Sequence, residues 1–149
     1  MKLKHLGTSV LLAAMVCWSS LSTATSEQEV NARLDQLFNT HQEYHNFLDN
    51  LQTQLISENK VEVAKLISYP IKVNIDGKKI KIKTPQQLIK LYGSIFTPAL
   101  VKVVNTQQYK DLLINAQGVM IGNGQIWFSS VCGDNQCKKS TVLITTINK

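Results

Sequence analysis

Arginine, cysteine and long apolar runs are all scarce in this chain, and each shortage removes a class of function. Arg33 is alone among the 16 basic residues, the rest being lysines with no aromatic residues interleaved among them. Nucleic-acid recognition by stacked bases and guanidinium clusters is therefore not expected. The apolar run from Val10 to Trp18 falls far short of the roughly 20 residues that cross a bilayer, so no transmembrane segment is expected either. No internal repeat or low-complexity segment is present. Catalytic motifs are also missing: in "HQEYH" Gln42 stands where the zinc-protease motif requires glutamate directly after the first histidine.

What is there begins with a leader. Lys2 and Lys4, the apolar run and the small residues Ser22 to Ala24 have the layout of a secretory signal peptide. Cleavage is expected after Ala24, leaving residues 25–149 as a single domain in the periplasm. A lipid-modified Cys17 wants small residues before it, and Met15 and Val16 do not fit. Processing leaves Cys132 and Cys137 as the only cysteines, in a compartment where disulfides persist. In "CGDNQC" the two are too far apart for the usual two-residue zinc or redox spacing. A hairpin with "GDNQ" as its loop sets them directly opposite, at a separation that suits a disulfide.

Ser26 with Glu29 forms a capping-box pattern, and apolar residues then recur at helical spacing from Val30 to Leu55, which predicts one long amphipathic helix. A short helix is expected from Asn59, ending before Tyr69-Pro70. In "IKVNIDGKKIKIK" the period changes to two, and Asp76-Gly77 marks a hairpin pairing Val73 with Ile80 and Lys72 with Lys81. Thr84-Pro85 and Thr97-Pro98 each announce a further helix. Strands follow near residues 118–122, 125–132 and 137–147. The middle one carries bulky residues on both faces, Ile126 and Phe128 against Trp127 and Val131, so it is expected to be covered on both sides. The order predicts an α+β domain, helices against one face of a curved antiparallel sheet.

The stretches "SYPIKVNIDGKKIKIKTPQQLIKLYGSIFTP" and "LLINAQGVMIGNGQIWFSSVC" resemble exported bacterial domains of the nuclear transport factor 2-like superfamily, the cystatin-like cone that also houses polyketide cyclases and ketosteroid isomerases. The likeness spans Glu62 to Asn148. It implies a cone in which a concave antiparallel sheet and a long first helix enclose a pocket, holding an acid or base in the enzymes and a ligand or partner in other members. The isomerase pattern of a carboxylate base with a tyrosine and acid oxyanion hole does not map onto this chain. Asp111, the acid nearest the strands, follows Lys110 in a loop. Fold alone settles nothing about function.

Three groups of residues are candidates for a site. His41 falls in the apolar stripe between Leu34 and Leu48, so it is either a structural histidine, a polar group at the pocket mouth or, with His45 one turn on, a metal ligand lacking a third partner. Tyr44, Tyr69, Tyr92, Met120 and Trp127 either line an apolar ligand pocket or fill an ordinary core. Lys72, Lys79, Lys81 and Lys83 share the wet side of the hairpin, and charge is polarised: residues 26–58 carry one arginine against six acids, residues 59–149 thirteen lysines against four. That basic face either meets an acidic partner or discourages strand addition by other chains. The leading expectation is a non-catalytic periplasmic binding domain for a small apolar ligand or a partner protein. The alternatives are an immunity or inhibitor protein against a toxin or cell-wall hydrolase, and an isomerase or hydrolase of the polyketide-cyclase type with His41 as general base. No cofactor and no metal are expected.

Overall fold

The computed structural model describes residues 26–148, so the leader assigned to residues 1–24 lies outside the described residues. Helices α1 (Glu27–Phe38), α2 (Gln42–Ile56) and α3 (Lys60–Lys65) come first, followed by strands β1 (Ile71–Ile75) and β2 (Lys78–Ile82). Helices α4 (Pro85–Lys90), α5 (Tyr92–Ile95) and α6 (Pro98–Thr106) and a 3₁₀ turn (Tyr109–Asp111) lead into β3 (Leu113–Asn115), β4 (Gly118–Ile121), β5 (Ile126–Cys132) and β6 (Ser140–Ile147).

The helix starts obey local rules. Ser26 and Glu29 exchange the two bonds of a capping box, while Asn59, Thr84 and Thr97 accept from the amides of Glu62, Gln87 and Leu100. Each such cap stabilises its helix by about 1 kcal/mol. The single long helix expected from Ser26 is instead two. Asn39 takes the left-handed conformation (φ 63°), which asparagine tolerates better than most residues, and its amide closes α1 on the Asp35 carbonyl. His41 then starts α2, and the buried stripe is set afresh by Tyr44, Phe47, Leu48, Leu51 and Leu55.

The six strands lie in the order β2-β1-β6-β5-β4-β3. The hairpin has the register its turn demands: Ile71 faces Ile82, Val73 faces Ile80, and Lys72 faces Lys81. Asp76 and Gly77 both adopt the positive φ of a two-residue turn. The first strand joins the last in parallel, at Val73 opposite Ile147, and ahead of it in the chain an isolated parallel bridge links Ile67 to Ile144.

This corrects the expected nuclear transport factor 2-like cone and its curved antiparallel sheet. The sheet is mixed and open, not closed into a cone. Closure would need its two outer strands to pair, and both are poor partners: β3 has 3 residues, and β2 carries Lys78, Lys79 and Lys81, a charge pattern that resists strand addition. Each of the last three strands keeps one expected end and is shorter at the other: β4 stops at Ile121, β5 starts at Ile126, and β6 starts at Ser140 and not at Cys137.

One face of the sheet buries Ile71, Val73, Val119, Ile121, Ile126, Phe128, Ile144 and Ile147 beneath the helices. Aromatic rings fill the space between. Phe47 stacks on Phe128 with centroids 4.8 Å apart, and Tyr44 lies 5.9 Å from Phe128 and 4.9 Å from Phe38. The opposite face is bare. Trp127 and Val131 are therefore not covered as expected but half-exposed, because the helices all pack on the side of Phe128.

Candidate functional site

Alternation along the strands decides what the bare face displays. Cross-strand pairing sets Leu113, Met120, Trp127 and Thr146 in one row across β3, β4, β5 and β6. Leu113 is 48 % exposed, which is unusual for a large apolar side chain within a strand. At the other end of the sheet Lys72, Asn74, Lys79 and Lys81 are exposed on β1 and β2. Two clefts connect the ends. A groove of about 540 Å³ runs where β1 and β6 part, lined by Lys72, Asn74, Lys79, Thr145, Thr146 and Asn148. A second, of about 400 Å³, shares Thr145 and Thr146 with it and is closed by Trp127 and Gln117.

A bulge shapes this junction. The register slips between Trp127, opposite Thr146, and Phe128, opposite Ile144, leaving Thr145 over, and its hydroxyl donates to the Trp127 carbonyl at 3.4 Å. Such an irregularity re-aims side chains locally. Among the described residues, Lys72, Lys79 and Lys81 make no ion pair with a carboxylate; the ion pairs found are Lys65 with Glu62 and His41 with Asp35. Lys83, expected on the same wet side, follows the end of β2, and its amide donates to the Gln87 side chain.

The five residues proposed for an apolar pocket do not converge. Tyr44 is fully buried in the core, its oxygen accepting the Ser130 amide at 3.0 Å, and burial foremost pushes its phenol above the ordinary range. Tyr69, named with them, donates to the Ala64 carbonyl, and burial pushes its phenol up to about 12. Tyr92 lines a separate cleft among the helices. Met120 and Trp127 lie on the bare face, on the far side of the sheet from Tyr44. His41, expected at the interior or pocket mouth, sits at the break between α1 and α2 with its side chain 37 % exposed, where Nδ1 meets both Asp35 oxygens at 2.9 Å. The helix break moved it off the buried stripe. His45 packs instead on Tyr109, ring centroids 4.1 Å apart. Among the described residues no three His, Cys, Asp or Glu side chains gather as a metal-holding group.

Cys132 and Cys137 are joined by a disulfide, with Cα atoms 4.8 Å apart. They are not cross-strand neighbours as expected. Cys132 faces Ser140, and Cys137 belongs to the loop itself, at φ 52°. Asp134 organises that loop by accepting the amides of Gln136 and Lys138. Hydrogen bonding, from the Lys138 amide most of all, holds its carboxyl below the usual range.

Sequence reasoning missed Asn74, Thr145, Thr146 and Asn148 as groove residues. The only signal was the period-two polarity of their strands; that β1 and β6 would lie side by side was not written locally. Comparison with known protein families, with curated proteins and with solved structures finds no match. Among the described residues no helix is long and apolar enough to cross a membrane.

Proposed function

We propose that this is a non-catalytic binding domain that docks an acidic partner protein on the bare face of its sheet. The observation that carries this reading is Lys72. Edge protection accounts for lysines on β2, which is an outer strand. Lys72 lies on β1, between β2 and β6, where no edge needs protecting, and it stands directly opposite Lys81 in an unfavourable like-charge pair. A carboxylate-bearing partner would relieve that repulsion, and the row of Leu113, Met120 and Trp127 supplies the apolar contact that charge alone does not.

An isomerase or hydrolase built on His41 is not favoured, because that histidine is bonded to Asp35 on an exposed helix junction and lines neither the groove beside β1 and β6 nor the cleft at Tyr92. The inhibitor reading is a special case of docking, with a toxin or cell-wall hydrolase as the acidic partner. The Cys132–Cys137 bond supports the reading of an oxidising compartment, the periplasm, as the place of action.

Affinity capture with the purified protein, at low and high salt, tests the proposal. A partner identified by mass spectrometry should bind the wild type at low salt, weaken as salt rises, and be lost from a Lys72→Glu, Lys79→Glu, Lys81→Glu variant with unchanged circular dichroism. A partner held equally by both proteins would leave the basic face as plain solvated surface.

A further inference from the structure

The two clefts of the bare face meet at Thr145 and Thr146, and strand pairing orders the side chains along them. Trp127 pairs with Thr146 on β6. Val73 pairs with Ile147, which puts Lys72 beside Thr146 and Asn74 beside Asn148, and Asn74 in turn faces Lys79. Trp127 and Lys72 are therefore two strand spacings apart, roughly 10 Å, with Thr146 between them. Two linked sugar rings span about that distance.

The chemistry of this path defines what would fit. Among the described residues no Asp or Glu lines either cleft, so an anionic group is preferred beside Lys72 and Lys79. The side chains of Thr145 and Asn148 are engaged, donating to the carbonyls of Trp127 and Gly124. Among the described residues those of Lys72, Asn74, Lys79 and Thr146 make no hydrogen bond or ion pair, which leaves two ammonium groups, an amide and a hydroxyl open to a ligand. Amides and hydroxyls both donate and accept, as sugar hydroxyls do, whereas ammonium groups only donate. The half-exposed indole of Trp127 offers a flat apolar surface to the C–H face of a sugar ring. An acidic peptide would use the lysines alone, and a neutral sugar would leave them unmet.

We infer that the joined clefts bind an acidic disaccharide, with a uronate held by Lys72, Asn74 and Lys79 and the second ring resting on Trp127. The inference rests on the reading of the bare face as a surface for anions, and it adds that sugar and partner protein exclude one another, since Lys72, Lys79 and Trp127 serve both.

A Trp18→Phe protein, in which Trp127 is the single tryptophan, supplies the readout. Titration with digalacturonate should change its fluorescence saturably, with affinity about tenfold above that of galactobiose, which lacks the carboxylates, and of glutarate, which lacks the rings. Salt should weaken the binding. Lys72→Gln and Asn74→Ala alter exposed side chains, so neither should lower the melting temperature, while affinity should fall about tenfold and about fivefold. Saturating digalacturonate should also release a captured partner. An unchanged fluorescence, equal binding of galactobiose or glutarate, affinity untouched in both variants, or a partner retained in saturating sugar would overturn the inference. The two readings fail separately: capture of a salt-sensitive partner by a protein that ignores digalacturonate removes the sugar site alone, and digalacturonate bound where no such partner is captured removes the partner alone.

Discussion

Phe128 and Trp127 are neighbours in one strand, yet they face opposite sides of the sheet and serve opposite ends. Phe128 is wholly buried, packed between Phe47 and Tyr44 beneath the helices. Trp127 is half-exposed in a row with Leu113 and Met120. The covered face holds the fold together by shape; the bare face offers apolar surface bordered by lysines that meet no carboxylate among the described residues. Truncating the two residues separates these roles most sharply. Phe128→Ala should cost about 3–5 kcal/mol in urea unfolding through cavity formation. Trp127→Ala should cost about 1 kcal/mol or less while weakening partner capture. Comparable losses from both would mean that the bare face is covered in the native protein.

The next largest effect concerns neither face. Replacing Cys132 and Cys137 together by serine removes a cross-link that closes a short loop between residues 5 apart in sequence. The loss should be about 2 kcal/mol, since restricting so short a loop removes little unfolded-chain entropy. Equilibrium unfolding measures it. Capture by the bare face should survive, because the loop lies beyond the row of Trp127 and the lysine pairs.

Within the covered face, the Tyr44 hydroxyl is a finer probe. Tyr44→Phe deletes the acceptor of the Ser130 amide and should cost about 1–2 kcal/mol, much of it from leaving that donor unpaired. Alkali reads the same side of the molecule, as none of the 4 tyrosines lies on a strand. Burial, ahead of repulsion from Asp35 and Glu27, pushes Tyr109 up to about 12, and burial alone does the same for Tyr69. Both folded values lie above the ordinary 10.0, so the stability contributed by the neutral phenols is full below pH 10 and fades as pH climbs through 12. Phenolate absorbance should rise late for these two and catch up on unfolding. Early ionisation of both would place them in water.

How much of this could be read from the chain depended on whether the deciding force was local. The hairpin register followed from Asp76-Gly77 and period-two alternation, and the caps at Ser26, Asn59, Thr84 and Thr97 from hydroxyl and amide chemistry within one turn. The break at Asn39 was hidden because apolar residues continue at helical spacing on both sides of it, and one left-handed residue leaves no mark in that period. The disulfide pair was legible, but its geometry was not: the chain between Gly133 and Lys139 forms the loop, and Cys137 lies inside it. The cone was misread for a non-local reason, since strand identity says little about whether the outer strands meet. The bare face was misread likewise: Trp127 and Val131 have the bulk of core residues, and only helix placement decides that nothing covers them. Tyr92, expected beside Met120 and Trp127, lines a cleft among the helices instead, because helix packing and not strand alternation decides where its ring goes.

The smallest expected effect discriminates best between a surface kept for the fold and one kept for a partner. Lys72 and Lys81 face each other across β1 and β2, both exposed, and directly opposed like charges destabilise a sheet by a fraction of a kcal/mol. Lys72→Glu turns the repulsion into attraction and should raise stability by about 0.2–1 kcal/mol, less at high salt. Because Lys72 is not on an outer strand, the substitution leaves the edge lysines of β2 in place, and solubility should not change. If it stabilises the protein and abolishes capture together, the like-charge pair persists against the interest of the fold, and binding is what maintains it. A variant that is stabilised and still captures its partner would assign the lysines to the fold's surface and move the docking site toward Trp127.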